Sequence, residues 1–105
     1  MRSGSVTRAV RNTEIDGVEV REGEYIGILE KAIVVSEPSL QESCKGLVGK
    51  LLADGGDLLT ILTGEGSDEK GTEELSAWVA DTYPDVELEV HEGGQPLYPY
   101  LFALE

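Results

Sequence analysis

Residues 57–90 constrain the fold more than any other part of the chain. Asp57 leads into the unbroken apolar run Leu58-Leu59-Thr60-Ile61-Leu62, short enough for a strand and of the kind found in strands covered on both faces. A helical pattern follows, with Leu75, Trp78, Val79 and Thr82 on one side, Ser67 as its cap with Asp68 and Glu69 in an acidic first turn, and Tyr83-Pro84 as its stop. Val86, Leu88 and Val90 then alternate with Glu87, Glu89 and His91, the period of a strand with one apolar face. Strand, helix and strand in so short a span ask for a right-handed crossover that returns the second strand parallel to the first. The fold class expected is therefore α/β, a small mixed sheet built around this unit.

The flanking segments fit the same class. A helix is predicted over 38–53, with Pro38 at its first position behind a cap at Ser36 or Glu37, and with Leu40, Cys44, Leu47, Val48, Leu51 and Leu52 recurring at helical spacing. Gly46 and Gly49 would each weaken it by roughly 1 kcal/mol relative to Ala, so a neighbouring element should pack closely there. Asp54-Gly55-Gly56 closes the helix, Gly55 serving as the left-handed cap. Residues 1–36 read as short strands. Val6, Arg8 and Val10 alternate with Thr7, Ala9 and Arg11, turn signals stand at Asp16-Gly17 and Glu22-Gly23, and Glu30-Lys31 joins Tyr25–Leu29 to Ala32–Val35 as a hairpin. Gly27, inside a strand, marks a bulge or a close backbone approach. Gly93-Gly94-Gln95-Pro96 turns the chain, and Pro99–Leu104 makes a final strand antiparallel to its predecessor. A length of 105 residues suits one domain, with a strand-rich part over 1–36 and an α/β part over 37–105.

Charge narrows the partners. With 21 acidic against 8 basic side chains and a net charge of −13, the field repels phosphates, which argues against nucleic acid. Arg2, Arg8, Arg11 and Arg21 lie near the start, whereas Lys70 is the one cation from Asp54 to Glu105. A basic-faced protein would suit the acidic end; the plainer reading is a solvated surface. Cys44 is the single cysteine, so no internal disulfide forms, and its place on the apolar stripe makes it an inert buried thiol. No apolar run approaches the ~20 residues that span a bilayer, and a cytoplasmic location is expected.

Two loops stand out. Thr63-Gly64-Glu65-Gly66-Ser67 joins strand to helix, the place where α/β sheets bind ligands. Thr63, Gly64, Gly66 and Ser67 are the candidate small-ligand residues, although the spacing completes neither a dinucleotide fingerprint nor a phosphate loop, and Glu65, Asp68 and Glu69 would repel an anion. His91 has no second His and no Ser or Cys tied to it by spacing, so its reading is a local hydrogen bond, and no catalytic or metal residue is assigned. The stretch Gly93 to Tyr100 combines two glycines, two prolines and two tyrosines. Such composition suits protein recognition, which nominates Gly93, Gly94, Gln95, Pro96, Tyr98 and Tyr100; the alternative has both tyrosines packed on the sheet.

The order of these motifs resembles a known family. Ala9-Val10-Arg11-Asn12-Thr13-Glu14-Ile15-Asp16-Gly17, then Glu22-Gly23-Glu24-Tyr25-Ile26-Gly27-Ile28, and last Gly93-Gly94-Gln95-Pro96-Leu97-Tyr98-Pro99-Tyr100-Leu101 with the acidic final Glu105 look like the C-terminal domain of the bacterial fatty acid kinase, a dihydroxyacetone-kinase-like protein. The resemblance spans nearly the whole chain, with the middle matched in pattern alone. It implies a fold similar to the α/β domains of the DegV group. It also implies that ATP and magnesium bind a separate N-terminal domain, and that a DegV-family protein presents the fatty acid carboxylate. The chain would then be a non-catalytic domain that docks the acyl-carrying partner. Two alternatives are a small-ligand domain holding an acyl chain or phosphate, and a structural or dimerisation domain of the kinase.

Overall fold

The structure, a computed structural model, describes residues 2–15 and 17–105. In chain order the elements are β1 (Arg2–Arg8), β2 (Thr13–Ile15), β3 (Val18–Val20), β4 (Tyr25–Leu29), β5 (Ala32–Glu37), α1 (Leu40–Leu51), β6 (Leu58–Thr63), α2 (Glu69–Thr82), β7 (Glu87–Glu92) and β8 (Tyr100–Leu104). Six strands form one mixed sheet in the order β5-β4-β1-β8-β6-β7, and β2 and β3 pair separately. β6 and β7 are parallel, as the unit 57–90 requires, and the remaining pairs of the sheet are antiparallel. The α/β class is thus the observed one.

Both helices lie on one face. Leu47, Val48 and Leu51 of α1 and Leu75 and Val79 of α2 join Val6, Leu59, Ile61, Tyr100, Phe102 and Leu104 of the sheet in a single buried cluster. Close approach is what fixes α1. A Cβ at Gly27 would stand 2.5 Å from Val35 Cγ2 and 3.2 Å from Leu47 Cβ, and one at Gly46 would stand 3.1 Å from Val35 Cγ1. The pairing of β4 with β5 also slips between Gly27 and Ile28, where Val34 of β5 is left unpaired, so Gly27 is a contact point and the bulge lies opposite it in β5.

Several boundaries differ from the sequence expectation. Pro38 precedes α1 instead of opening it. Ser39 is the cap, its hydroxyl accepting the Glu42 N–H at 3.1 Å, because a short hydroxyl one residue after the proline reaches the third helical amide. The helix closes at Leu52, and Gly55, left-handed at φ +83°, sits beyond it in a turn held by its N–H to the Leu52 carbonyl at 2.9 Å. α2 is capped by Asp68, which accepts the Gly71 N–H at 2.6 Å, while Ser67 donates its hydroxyl to the Gly64 carbonyl. β1 ends at Arg8, leaving Val10 85% exposed, and Asp16 of the expected turn lies outside the described residues. β8 begins at Tyr100, after Pro99.

Two differences matter for the site. β8 runs antiparallel in direction to β7 but does not pair with it. It is inserted between β1 and β6, so the chain leaving β7 crosses the end of β6 to reach its place. Nor is β6 covered on both faces. Leu59 and Ile61 are buried under the helices, whereas Leu58, Thr60 and Leu62 point to the opposite face and are half-buried.

Candidate functional site

The crossing made by the chain after β7 brings the two singled-out loops together. The Gly93 and Gly94 N–H groups both donate to the Thr63 carbonyl, at 2.8 and 2.9 Å. In return the Gly64 N–H donates to the Pro99 carbonyl and the Glu65 N–H to the Gln95 carbonyl, each at 2.9 Å. Gln95 ties the crossing from within, its side-chain amide donating to the carbonyls of Tyr98 at 3.0 Å and Leu62 at 3.3 Å. The glycines are needed for this closeness. A side chain at Gly93 would strike the Gln95 amide oxygen, and one at Gly64 the Tyr98 carbonyl and the Gln95 amide.

The tip of the loop, Pro96 to Tyr98, faces outward, while Pro99 is buried. Leu97, at φ +68°, is 73% exposed and Tyr98 is 36% exposed, and Pro96 is exposed beside them. The Thr7 hydroxyl anchors this tip from the neighbouring strand by donating to the Leu97 carbonyl at 2.7 Å. Tyr100 stands apart from the other nominated residues. It is fully buried, its ring stacks near Phe102 at 6.1 Å between centroids, and its hydroxyl bonds Thr72 Oγ1 at 2.8 Å. Burial pushes the Tyr100 phenol up, with the Thr72 hydrogen bond working against it. Gly93, Gly94 and Gln95 therefore build the clamp, Tyr100 supports it from the core, and Pro96 and Tyr98 are presented to solvent. Leu97 was not singled out from sequence, since a lone apolar residue among prolines and tyrosines carries no periodic signal.

Beside the clamp, at the ends of the parallel strands, lies an open cleft of about 470 Å³ lined by Thr63, Ser67, Asp68, Glu69, Thr72, Val90, His91 and Glu92. Its chemistry does not match an anion cradle. The Gly64 and Glu65 N–H groups are taken by the crossing loop, the Ser67 N–H and hydroxyl both serve the Gly64 carbonyl at 3.1 and 2.6 Å, and the Gly71 N–H serves Asp68. Three carboxylates, from Asp68, Glu69 and Glu92, line the same cleft and would repel a phosphate. Gly66 turns the chain at φ +94°. His91 Nε2 meets Glu89 Oε1 at 3.0 Å on the exposed side of β7, the local bond expected of it. Among the described residues, no three His, Cys, Asp or Glu side chains gather in a metal-holding group. Cys44 lies in the core, and burial pushes its thiol up to about 12. Among the described residues, no helix is long and apolar enough to cross a membrane.

Comparison with known proteins agrees with the order of motifs. Residues 1–105 match the FakA-like C-terminal family, which describes the C-terminal part of a fatty acid kinase component. An uncharacterized protein of Staphylococcus epidermidis is 46% identical over 105 residues, which is 100% of this chain and 19% of that protein. Uncharacterized proteins of Staphylococcus saprophyticus and Staphylococcus aureus are 44% and 42% identical over the same shares. The chain thus spans about one fifth of the length of the curated relatives it matches.

Proposed function

The chain belongs to the FakA-like C-terminal family of fatty acid kinase, and on that footing we propose that it is a non-catalytic docking module for an acyl-carrying protein of the DegV type. The observation that carries this reading is the clamped loop. Gly93, Gly94 and Gln95 are held to Thr63 and Leu62 by hydrogen bonds to their carbonyls, and that fixed base presents Pro96, Leu97 and Tyr98 to solvent. A recognition surface gains from such a base, because a backbone already held in place loses little freedom on binding. Tyr98 and Leu97 supply the apolar contact, and the acidic flank, including Glu89 and Glu92, steers a basic-faced partner. ATP and magnesium would be held by the part of the longer polypeptide outside these residues, in the cytoplasm. An acyl chain or phosphate bound at Thr63, Gly64, Gly66 and Ser67 is the lesser reading, given how their donors are used.

Calorimetric titration of the chain with a purified, acyl-loaded DegV-type protein at low and moderate salt tests the proposal. Binding that weakens with salt, and that drops at least tenfold in a Leu97→Ser, Tyr98→Ala variant with an unchanged urea midpoint, is the expected result. Wild-type affinity in that variant, or no binding at either salt, overturns it.

A further inference from the structure

We infer that the sheet face opposite the helices is an intramolecular docking surface, covered by the part of the longer polypeptide that lies outside these 105 residues. Four of the six strands carry the composition of a sheet closed on both sides, while β1 and β7 alternate with polar residues. Leu58–Leu62, Tyr25–Leu29, Ala32–Val35 and Tyr100–Leu104 are all continuous or nearly continuous apolar runs, where a strand with one wet face alternates apolar with polar. The helices nevertheless close one face alone. Register places Ile28, Ser5, Leu101 and Leu62 side by side in one row across β4, β1, β8 and β6, with Thr7 beside Ile26 in the next. Leu101 alternates with the buried Tyr100 and Phe102, so this row faces away from the core, and its apolar members are half-buried. The row from Ile28 to Leu62 carries no charge, although 28% of the chain is charged. An uncharged apolar strip of this kind is the character of a permanently covered interface, not of a transient one.

Three observations point to the occupant. The chain accounts for 19% of the length of its relatives, so in a polypeptide of that kind most of the mass is tethered to this domain at high effective concentration. The family is a C-terminal one, so in such a polypeptide other residues precede β1. β1 is an interior strand, and its first residues, Arg2 and Ser3, pair with Leu104 and Ala103, so a preceding segment enters at the end of the central strands, within reach of either face. A second copy is disfavoured, because each brings a net charge of −13 and like fields repel.

Thiol labelling resolved by peptide mass spectrometry provides the test, with Cys44 silent because it is buried in the core. Leu101→Cys, Ile28→Cys and, as a variant that removes no apolar side chain, Thr60→Cys are compared with Glu73→Cys on the exposed side of α2. Each is labelled in the 105-residue chain and in the full-length polypeptide that bears it. Labelling at 101, 28 and 60 slowed tenfold or more in the full-length chain, with position 73 unchanged, is the expected result. Equal rates in the two contexts overturn the inference. So does slow labelling in the 105-residue chain that speeds up on dilution, which would assign the face to a second copy.

Discussion

On one face of the sheet Val6, Leu59, Ile61, Tyr100 and Phe102 are sealed by Leu47, Val48, Leu75 and Val79; on the other, Ile28, Leu62 and Leu101 stand half-buried with neither helix above them. Both faces carry leucine and isoleucine, so the presence of large apolar residues alone does not decide which becomes the core. The difference lies in close approach. Gly4 and Gly27 lie on the helix-facing side and let Leu47 descend onto the backbone, a Cβ at Gly4 standing 3.1 Å from Leu47 Cδ2. The opposite face has Ser3, Ser5 and Thr7 along the same strand, where no glycine opens a hollow for a helix side chain.

Substitutions break this comparison in order of size. Leu47→Ala removes the side chain that fills both glycine sites, and its cost should be about 2–5 kcal/mol, read as a lowered urea midpoint with unchanged slope. Raising the pH tests the same core without touching its packing. Cys44 has an ordinary value of 9.0 and is pushed up to about 12 by burial, so the native state keeps a proton that the unfolded chain releases. Its contribution is therefore full below pH 9 and is lost as pH rises toward 12, with a limiting slope of about 1.4 kcal/mol per pH unit. Tyr100, also raised, adds in the same direction. The Cys44→Ala chain should show a shallower decline over that window, and the slope, not the absolute stability, is the readout.

Gly27→Ala comes next. The new methyl group meets Val35 and Leu47 on the sealed face, and overpacking there should cost about 1–3 kcal/mol. Asp68→Ala then removes a cap to the Gly71 N–H and should cost about 1 kcal/mol. Ser67→Ala leaves that cap in place and should cost less, which separates the observed cap from the one its neighbour suggested.

How much of this was legible follows from the range of the interactions. The parallel unit of β6, α2 and β7 could be read because an apolar run, a helical period and an alternation are all local patterns. Gly27 could be read too, since a glycine inside a strand has few local uses. The place of β8 could not. Its pairing with β1 and β6 depends on Tyr100 reaching Thr72 and on the loop from Gly93 to Pro99 spanning the end of β6, contacts between residues far apart in sequence. The candidate site inherits that division. The glycines, prolines and tyrosines marked both loops, but nothing local said that Gln95 would tie one to the other, that Tyr100 would turn inward, or that Leu97 would turn out. The caps at Ser39 and Asp68 each lay a short step from the expected position, where neighbouring residues satisfy the same local rule and backbone direction decides.

The smallest effect is the most discriminating. Leu101→Thr keeps a strand-favouring side chain, removes apolar area from the face away from the helices, and leaves Tyr100 and Phe102 in place. In the 105-residue chain it should change stability by no more than about 0.5 kcal/mol, the range of surface substitutions. The same kind of change on the sealed side, Ile61→Thr, should cost several-fold more, because it buries an oxygen and leaves a void in the cluster that holds Leu75, Val79 and Phe102. Equal costs in urea titrations would mean that the two faces are equally covered within these residues, and the contrast between them would fall. A near-neutral Leu101→Thr would leave the apolar character of that face unexplained by the stability of the domain, and so assign it to whatever the domain meets.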